Sequence, residues 1–308
     1  MVENGGKLFL NGTAALPIVF TEASKTPGSW GGIIMFGDAP IVGAKSVATA
    51  TTEDGNNLPY GGTNDTHNGG TLKYVRVEYA GKKLTDNTSE MNGFSFYSVG
   101  SGTVLENLVA YKGADDGFEF YGGTVSAKNL ISYGNFDDSF DWQDGWRGDA
   151  NTNWYAYQVV TGNYGMEIEA KSINNAFGPK VSNITLTRAA GTVTEGGASA
   201  NEFDAIQFKK EGNGEYTNVV ISGYTTSNTT LTATAVRIQD KSTNDNQVTG
   251  GKIKMLNVKI NDGTSQFAGV GTTFTVAFPT GNYTTSTTAT GATLTAGAWA
   301  IVDGVSLI

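Results

Sequence analysis

Gly93-Phe-Ser-Phe-Tyr97, Gly117-Phe-Glu-Phe-Tyr121 and Ser139-Phe-Asp-Trp-Gln143 repeat one five-residue grammar: small, apolar, polar, apolar, polar. Gly165-Met-Glu-Ile-Glu169, Ala205-Ile-Gln-Phe-Lys209 and Ala235-Val-Arg-Ile-Gln239 continue it, with starts 24, 22, 26, 40 and 30 residues apart. Strict alternation over so short a span is the signature of a strand with one face inward. No stretch carries apolar residues at the 3.6-residue period of a long helix.

A second series interleaves with the first: Thr103-Val-Leu-Glu-Asn107, Thr124-Val-Ser-Ala-Lys-Asn129, Val181-Ser-Asn183, Thr217-Asn218 and Leu256-Asn257, each Asn standing just ahead of an apolar run. Repeats of this length indicate a solenoid or a propeller, and a propeller blade needs about 40–45 residues. The tightest spacings suit two or three short strands per coil. Coils stack about 4.8 Å apart, a distance over which one Asn amide bonds to the next. The expected fold is therefore all-β: a right-handed, single-stranded parallel β-helix. Phe94, Phe118 and Phe140 form one interior column, and Phe96, Phe120, Trp142 and Phe208 a second. Coils are expected over 1–262. From 263 to 308 the pattern loosens into terminal coils or a C-terminal cap of the same domain.

Composition narrows the function. The 308 residues include 42 Gly, no Cys, a single His and a net charge of −9. Disulfides, thiol catalysis and zinc–thiolate sites are excluded, and a nucleic-acid partner lacks its basic footprint. No run of apolar residues is long enough to cross a membrane as a helix. The start of the chain has no basic and apolar leader, and the Gly/Thr/Asn-rich, charge-poor make-up points to a secreted or cell-surface protein whose signal lies outside the sequence. His67, within Gly-Gly-Thr-Asn-Asp-Thr-His67-Asn-Gly-Gly, reads as a surface-turn residue.

Aligning the coils also places charge. The central polar position reads Ser95, Glu119, Asp141, Glu167, Gln207 and Arg237, and alternation turns it outward. The next outward column contains Tyr97, Tyr121, Gln143, Glu169 and Lys209. The turns before the strands carry Asn92, Asp116, Asp138, Tyr164 and Asp204. Three carboxylates in a row, with Asp116 and Asp138 beside them, would line an acidic groove. Lys209, Lys210 and Arg237 border one end, and Trp142, Trp146 and Arg147 lie on an excursion between coils. Two unit charges about 4.8 Å apart repel by roughly 3–4 kcal/mol at an effective dielectric of 20. Such a row therefore shares a proton, binds a hard cation such as Ca2+, or pairs with lysine.

The segments Gly28-Ser-Trp-Gly-Gly-Ile-Ile-Met-Phe-Gly-Asp, Tyr60-Gly-Gly-Thr-Asn-Asp, Gly70-Thr-Leu-Lys-Tyr-Val-Arg-Val-Glu-Tyr, Asp115-Asp-Gly-Phe-Glu-Phe-Tyr-Gly-Gly-Thr and Asp137-Asp-Ser-Phe-Asp-Trp-Gln-Asp-Gly-Trp resemble exported bacterial β-helix proteins of the pectin-lyase-like class, often lipoproteins. The resemblance runs from about residue 5 to 169 and implies the same fold. It also implies that residues 6–21 are an internal coil, so that Met1 begins partway along the solenoid.

Two functions follow. The first is binding, with or without cleavage, of an extracellular polysaccharide in the acidic groove. A hydrolase would use Asp138 with Asp141 or Glu119 as acid and base. A lyase would use Lys209 or Arg237 as base, while Asp116, Glu119, Asp138, Asp141 and Glu167 held Ca2+. Trp142, Trp146, Arg147, Lys209 and Arg237 are the expected sugar contacts, and Asp144 and Asp149 a further oxygen pair for a cation. The Gly-His-Gly and Arg-Ile-Lys elements of the hydrolases have no counterpart here. The second function is a non-catalytic adhesin, scaffold or fibre unit, stiffened by Ca2+ and self-associating through its coil ends.

Overall fold

In the computed structural model, described for residues 1–43, 47–82, 84, 89–197, 200–228, 231–271 and 273–308, each main strand pairs in parallel with its counterpart one coil further on. A 10-stranded sheet runs in the order Leu8–Asn11, Gly70–Glu78, Val104–Tyr111, Ala127–Tyr133, Asn151–Gln158, Lys180–Arg188, Gly214–Ser222, Ile253–Ile260 and Tyr283–Thr285, with Ile18–Phe20 also paired to Gly70–Glu78. An 8-stranded sheet stacks Ile33–Phe36, Phe94–Tyr97, Phe118–Tyr121, Phe140–Gln143, Met166–Ile168, Ile206–Phe208, Thr234–Ile238 and Ser265–Gly269. Successive strands alternate between the two sheets. This is the expected parallel β-helix.

The Asn series sits inside the long strands rather than ahead of them. Asn107, Asn129, Asn183, Asn218 and Asn257 have φ between 57° and 60°, the left-handed region that Asn tolerates better than other side chains. Each bends its strand through a corner, which breaks the period of two. Leu105 and Leu108 are both buried, as are Ala127 and Leu130, or Val181 and Ile184. Asn153, with φ 58°, is a sixth member not anticipated from sequence. Side-chain amides donate along the row, Asn129 to Asn107 at 2.9 Å, Asn153 to Asn129 at 3.0 Å and Asn218 to Asn183 at 2.7 Å.

The interior columns hold as anticipated. Phe94 and Phe118 stack with centroids 4.9 Å apart and planes at 3°, Phe118 and Phe140 at 5.7 Å, and Phe96 and Phe120 at 5.2 Å. Further along, Trp142, Trp146 and Trp154 fill the lumen together, each no more than 1% exposed.

Among the segments that lie outside the coils, one covers the shorter sheet and another returns along the longer one. Residues 37–43 and 47–69 fold over the outer face of the shorter sheet, where Tyr60 packs on Tyr97 and Tyr121 and bonds through its hydroxyl to Asp144, while Glu53 pairs with Lys171 at 2.7 Å. At the other end, Ser265–Gly269 and Tyr283–Thr285 supply one more coil, but the remainder does not cap the open end. It runs back along the Asn corner: the Ala292 amide donates to Thr185 Oγ1 at 2.9 Å, and the Thr293 amide to Asn153 Oδ1 at 3.3 Å. It ends on the first coils, where Trp299 meets Tyr74 edge-on, Lys25 pairs with Asp303, and Trp299 and Leu307 cover the outward-facing Val109 and Ile131.

Candidate functional site

The shorter sheet sets the spacing of the acidic row. Asp141 is in register with Glu119 on one side and Glu167 on the other. Their neighbours Phe118, Phe140 and Met166 point into the core, so the three carboxylates share the outer wall. The turns add a second row. Asp116 Oδ1 accepts the Asp138 amide at 2.8 Å, and Asp138 Oδ1 accepts the Tyr164 amide at 2.6 Å. Each turn aspartate thus ties its coil to the next with one oxygen.

Single carboxylate oxygens of Asp116, Glu119 and Asp141 lie within 4.8 Å of one another, as do those of Asp138, Asp141 and Glu167. A third such group joins Asp115, Asp116 and Asp137. The cleft above them has a volume of about 530 Å³ and is lined by eight carboxylates, from Glu90, Asp116, Asp137, Asp138, Asp141, Glu167, Glu195 and Glu202, with Asn163, Tyr164, Gly196 and Lys209. Lys209 is the one cation among the described residues of that lining.

Burial and mutual repulsion drive these carboxyls in one direction. Burial first, then Asp138, pushes Asp116 well above its ordinary value; burial and Glu167 do the same to Asp138 and Asp141. Glu119 rises through burial and Asp141, and Glu167 rises through burial although Lys209 opposes it. Glu169 behaves differently: burial pushes it up, but Lys209, Lys171 and Lys210 together bring it below the usual range. Lys209 bonds to Glu167 and lies 3.5 Å from Glu169, and despite burial these anions hold its ammonium above its ordinary value.

The carboxylates are not equivalent. Glu119 is 4% exposed and both its oxygens are taken: Oε2 accepts from Asn92 Nδ2 at 2.6 Å and from the Tyr121 hydroxyl, and Oε1 accepts from Gln143 Nε2 at 3.2 Å. It is braced as part of the wall, partly by Tyr121, on which Tyr60 packs, rather than free to act as acid or base. Asp141 Oδ1, by contrast, is buried with no hydrogen-bond partner.

Several expected contacts are corrected. Trp142 and Trp146 are 1% exposed and stack inside the solenoid, so neither ring meets a sugar. The alternation that put Trp142 in an interior column prevails over its reading as a groove border. Arg147 lies over the Phe177 ring at 3.8 Å, outside the cleft. Arg237 is 2% exposed, and its Nε and Nη2 donate to Asp204, which removes it as a base. Asp144 is engaged by Tyr60, and Asp149 lines a different hollow beside Asn151 and Lys180. His67 is buried rather than superficial, its Nδ1 accepting from the Gly100 amide at 3.3 Å.

Sequence reasoning overlooked Asp137, Glu90, Glu195 and Glu202. The matched doublets Asp115-Asp116 and Asp137-Asp138 were a usable signal for Asp137. The three glutamates come from long connecting segments, whose return over the wall leaves no periodic trace.

A family model described as "Pectate-lyase like beta helix domain" matches residues 1–302. No curated protein and no solved structure matches the chain.

Proposed function

The chain belongs to the pectate-lyase-like β-helix family, and from that premise we propose that its acidic cleft binds a divalent cation and, through it, an acidic extracellular polysaccharide. The observation that carries this reading is the Asp138, Asp141 and Glu167 group, with oxygens within 4.8 Å and the Asp141 Oδ1 orphaned. An all-oxygen donor set of high negative charge fits a hard ion such as Ca2+ and offers nothing to a soft one. Bare, the cleft repels a uronate chain; with an ion bound, that repulsion is reduced and the ion's remaining coordination positions would accept the chain's carboxylates. Asp138, Asp141 and Glu167 are the ligands in this reading, with Asp116 adjoining. The ion supplies a site for the substrate carboxylate, and the protein fixes the carboxylates on rigid coils.

Cleavage is favoured by a separate observation only in its hydrolytic form. Where no ion is bound, Asp138 and Asp141, with oxygens within 4.8 Å of each other and both pushed above the ordinary carboxyl value by burial and by Glu167, are the pair that would share a proton as acid and base. Elimination would need a free base, and Lys209 is held as an ammonium by Glu167 and Glu169.

Calorimetric titration with calcium chloride, followed by polygalacturonate and alginate with and without calcium, tests the reading. Polymer binding that requires calcium and disappears in Asp141→Asn is the expected result. Calcium-independent binding, or none to any acidic or neutral glycan, defeats it. Assays for reducing ends and for unsaturated uronates distinguish hydrolysis from elimination.

A further inference from the structure

Behind the acidic wall lies a buried cation that the cleft itself does not expose. Arg188, the last residue of the Lys180–Arg188 strand, is 3% exposed. Its Nη1 donates to Gln158 Oε1 at 3.1 Å and to the Asn163 carbonyl at 2.9 Å, while Nε and Nη2 have no partner. Gln158, itself fully buried, turns its Nε2 to the Tyr164 carbonyl at 2.8 Å and the Asn163 carbonyl at 3.3 Å. Both carbonyls of this turn are therefore gripped from the core side. On the cleft side, the same two residues serve the carboxylates. The Tyr164 amide donates to Asp138 Oδ1 at 2.6 Å, and the Asn163 side chain donates to Asp137.

A guanidinium in such a place is expensive. Its charge meets only neutral acceptors in its described hydrogen bonds, and an apolar side chain of similar volume would avoid the desolvation. What Leu or Met would not supply is the bond to the Asn163 carbonyl. We infer that Arg188 is a positioning residue for the cleft: with Gln158 it fixes the Asn163–Tyr164 turn, and through the Tyr164 amide it fixes the Asp138 carboxylate. The inference rests on the reading of Asp138 as a cation ligand, and it assigns to a side chain in the core a share in that binding.

The test compares wild type, Arg188→Met and Arg188→Lys by calorimetric titration with calcium chloride and by hydrogen exchange at the Tyr164 amide. A group bonded directly to a metal ligand is worth about 10–100-fold in affinity; Arg188 acts one residue further out, so a loss of up to about tenfold is expected. Arg188→Met is expected to show that loss together with faster exchange at Tyr164. Arg188→Lys, which keeps the charge and one donor, recovers most of both. An Arg188→Met protein that folds and keeps wild-type affinity and protection overturns the inference. Should Arg188→Met fail to fold, Gln158→Met takes its place with the same two outcomes. If wild type binds no calcium, the functional reading falls, whereas exchange at Tyr164 still decides the positioning role: faster supports it, unchanged overturns it.

Discussion

Asn129 donates its side-chain amide to Asn107 at 2.9 Å while accepting from Asn153 at 3.0 Å, and all three hold φ of 58° to 59°. The corner and the ladder are thus one device. Replacing Asn129 by Ala keeps a Cβ in the left-handed region but loses the short polar side chain that makes this conformation tolerable to Asn, exposing part of a penalty of about 1–2 kcal/mol, and removes two hydrogen bonds of about 1 kcal/mol each. Gly would lose only the bonds. Chemical denaturation is expected to rank wild type above Asn129→Gly, and Gly above Ala. Equal loss in both variants would mean that the backbone conformation does not matter here.

The repeating pentapeptides made the shorter sheet legible, because a two-residue period survives in strands of three to five residues. The same logic misplaced the Asn series: a left-handed residue inside a strand resets the alternation, so Leu105 and Leu108 both face inward and the run looks as though it begins after the Asn. Of the acidic site, the Glu119, Asp141 and Glu167 register was readable, since it depends on local pairing alone. The pairing of Lys209 with Glu169 was readable too, from adjacent coils, and stands at 3.5 Å. The packing of Tyr60 on Tyr121 and the approach of Lys171 to Glu169 were not, because no periodicity encodes a long loop's landing point.

The carboxyls of the cleft predict an unusual pH response. Asp116, Glu119, Asp138, Asp141 and Glu167 are all raised in the folded chain, and burial lifts Asp144 from its ordinary 3.8 to about 6. A folded state that binds more protons than the unfolded one loses stability as pH rises. For Asp144 the contribution is complete below about pH 4 and fades as pH passes through about 6; for the cleft groups it fades in the same direction, as pH rises through their own raised values. In chelator, Tm at pH 5 should exceed Tm at pH 8, and calcium should restore the loss at pH 8. A Tm that climbs from pH 5 to 8 without calcium contradicts the directions given above.

Trp299 tests the returning tail. Its ring is 2% exposed against Tyr74, and its neighbours cover Val109 and Ile131 on the outer face. Trp299→Ala is expected to cost about 3–5 kcal/mol, the usual range for a buried Trp. The damage should be local, because stacked coils couple mainly to their neighbours. Hydrogen exchange should quicken in Gly70–Glu78 and Val104–Tyr111 while Ile253–Ile260 stays protected. Uniform loss of protection would mean that the solenoid unfolds as one unit.

Glu119 and Asp141 are neighbours in one row with opposite expected responses to losing their charge. Glu119 accepts from Asn92, Tyr121 and Gln143, so a Gln there turns a donor toward donors and should cost about 1–2 kcal/mol. Asp141 has an oxygen with no partner and sits between Glu119 and Glu167. Asp141→Asn removes a buried repulsion, so its Tm in chelator should equal or exceed that of wild type. Adding calcium reverses the order: wild type gains by mass action on the folded state, Glu119→Gln gains nearly as much, and Asp141→Asn gains little. Melting curves of the three proteins in chelator and in calcium separate the bracing carboxylate from the binding one. A calcium gain in Asp141→Asn equal to that of wild type would remove Asp141 from the site.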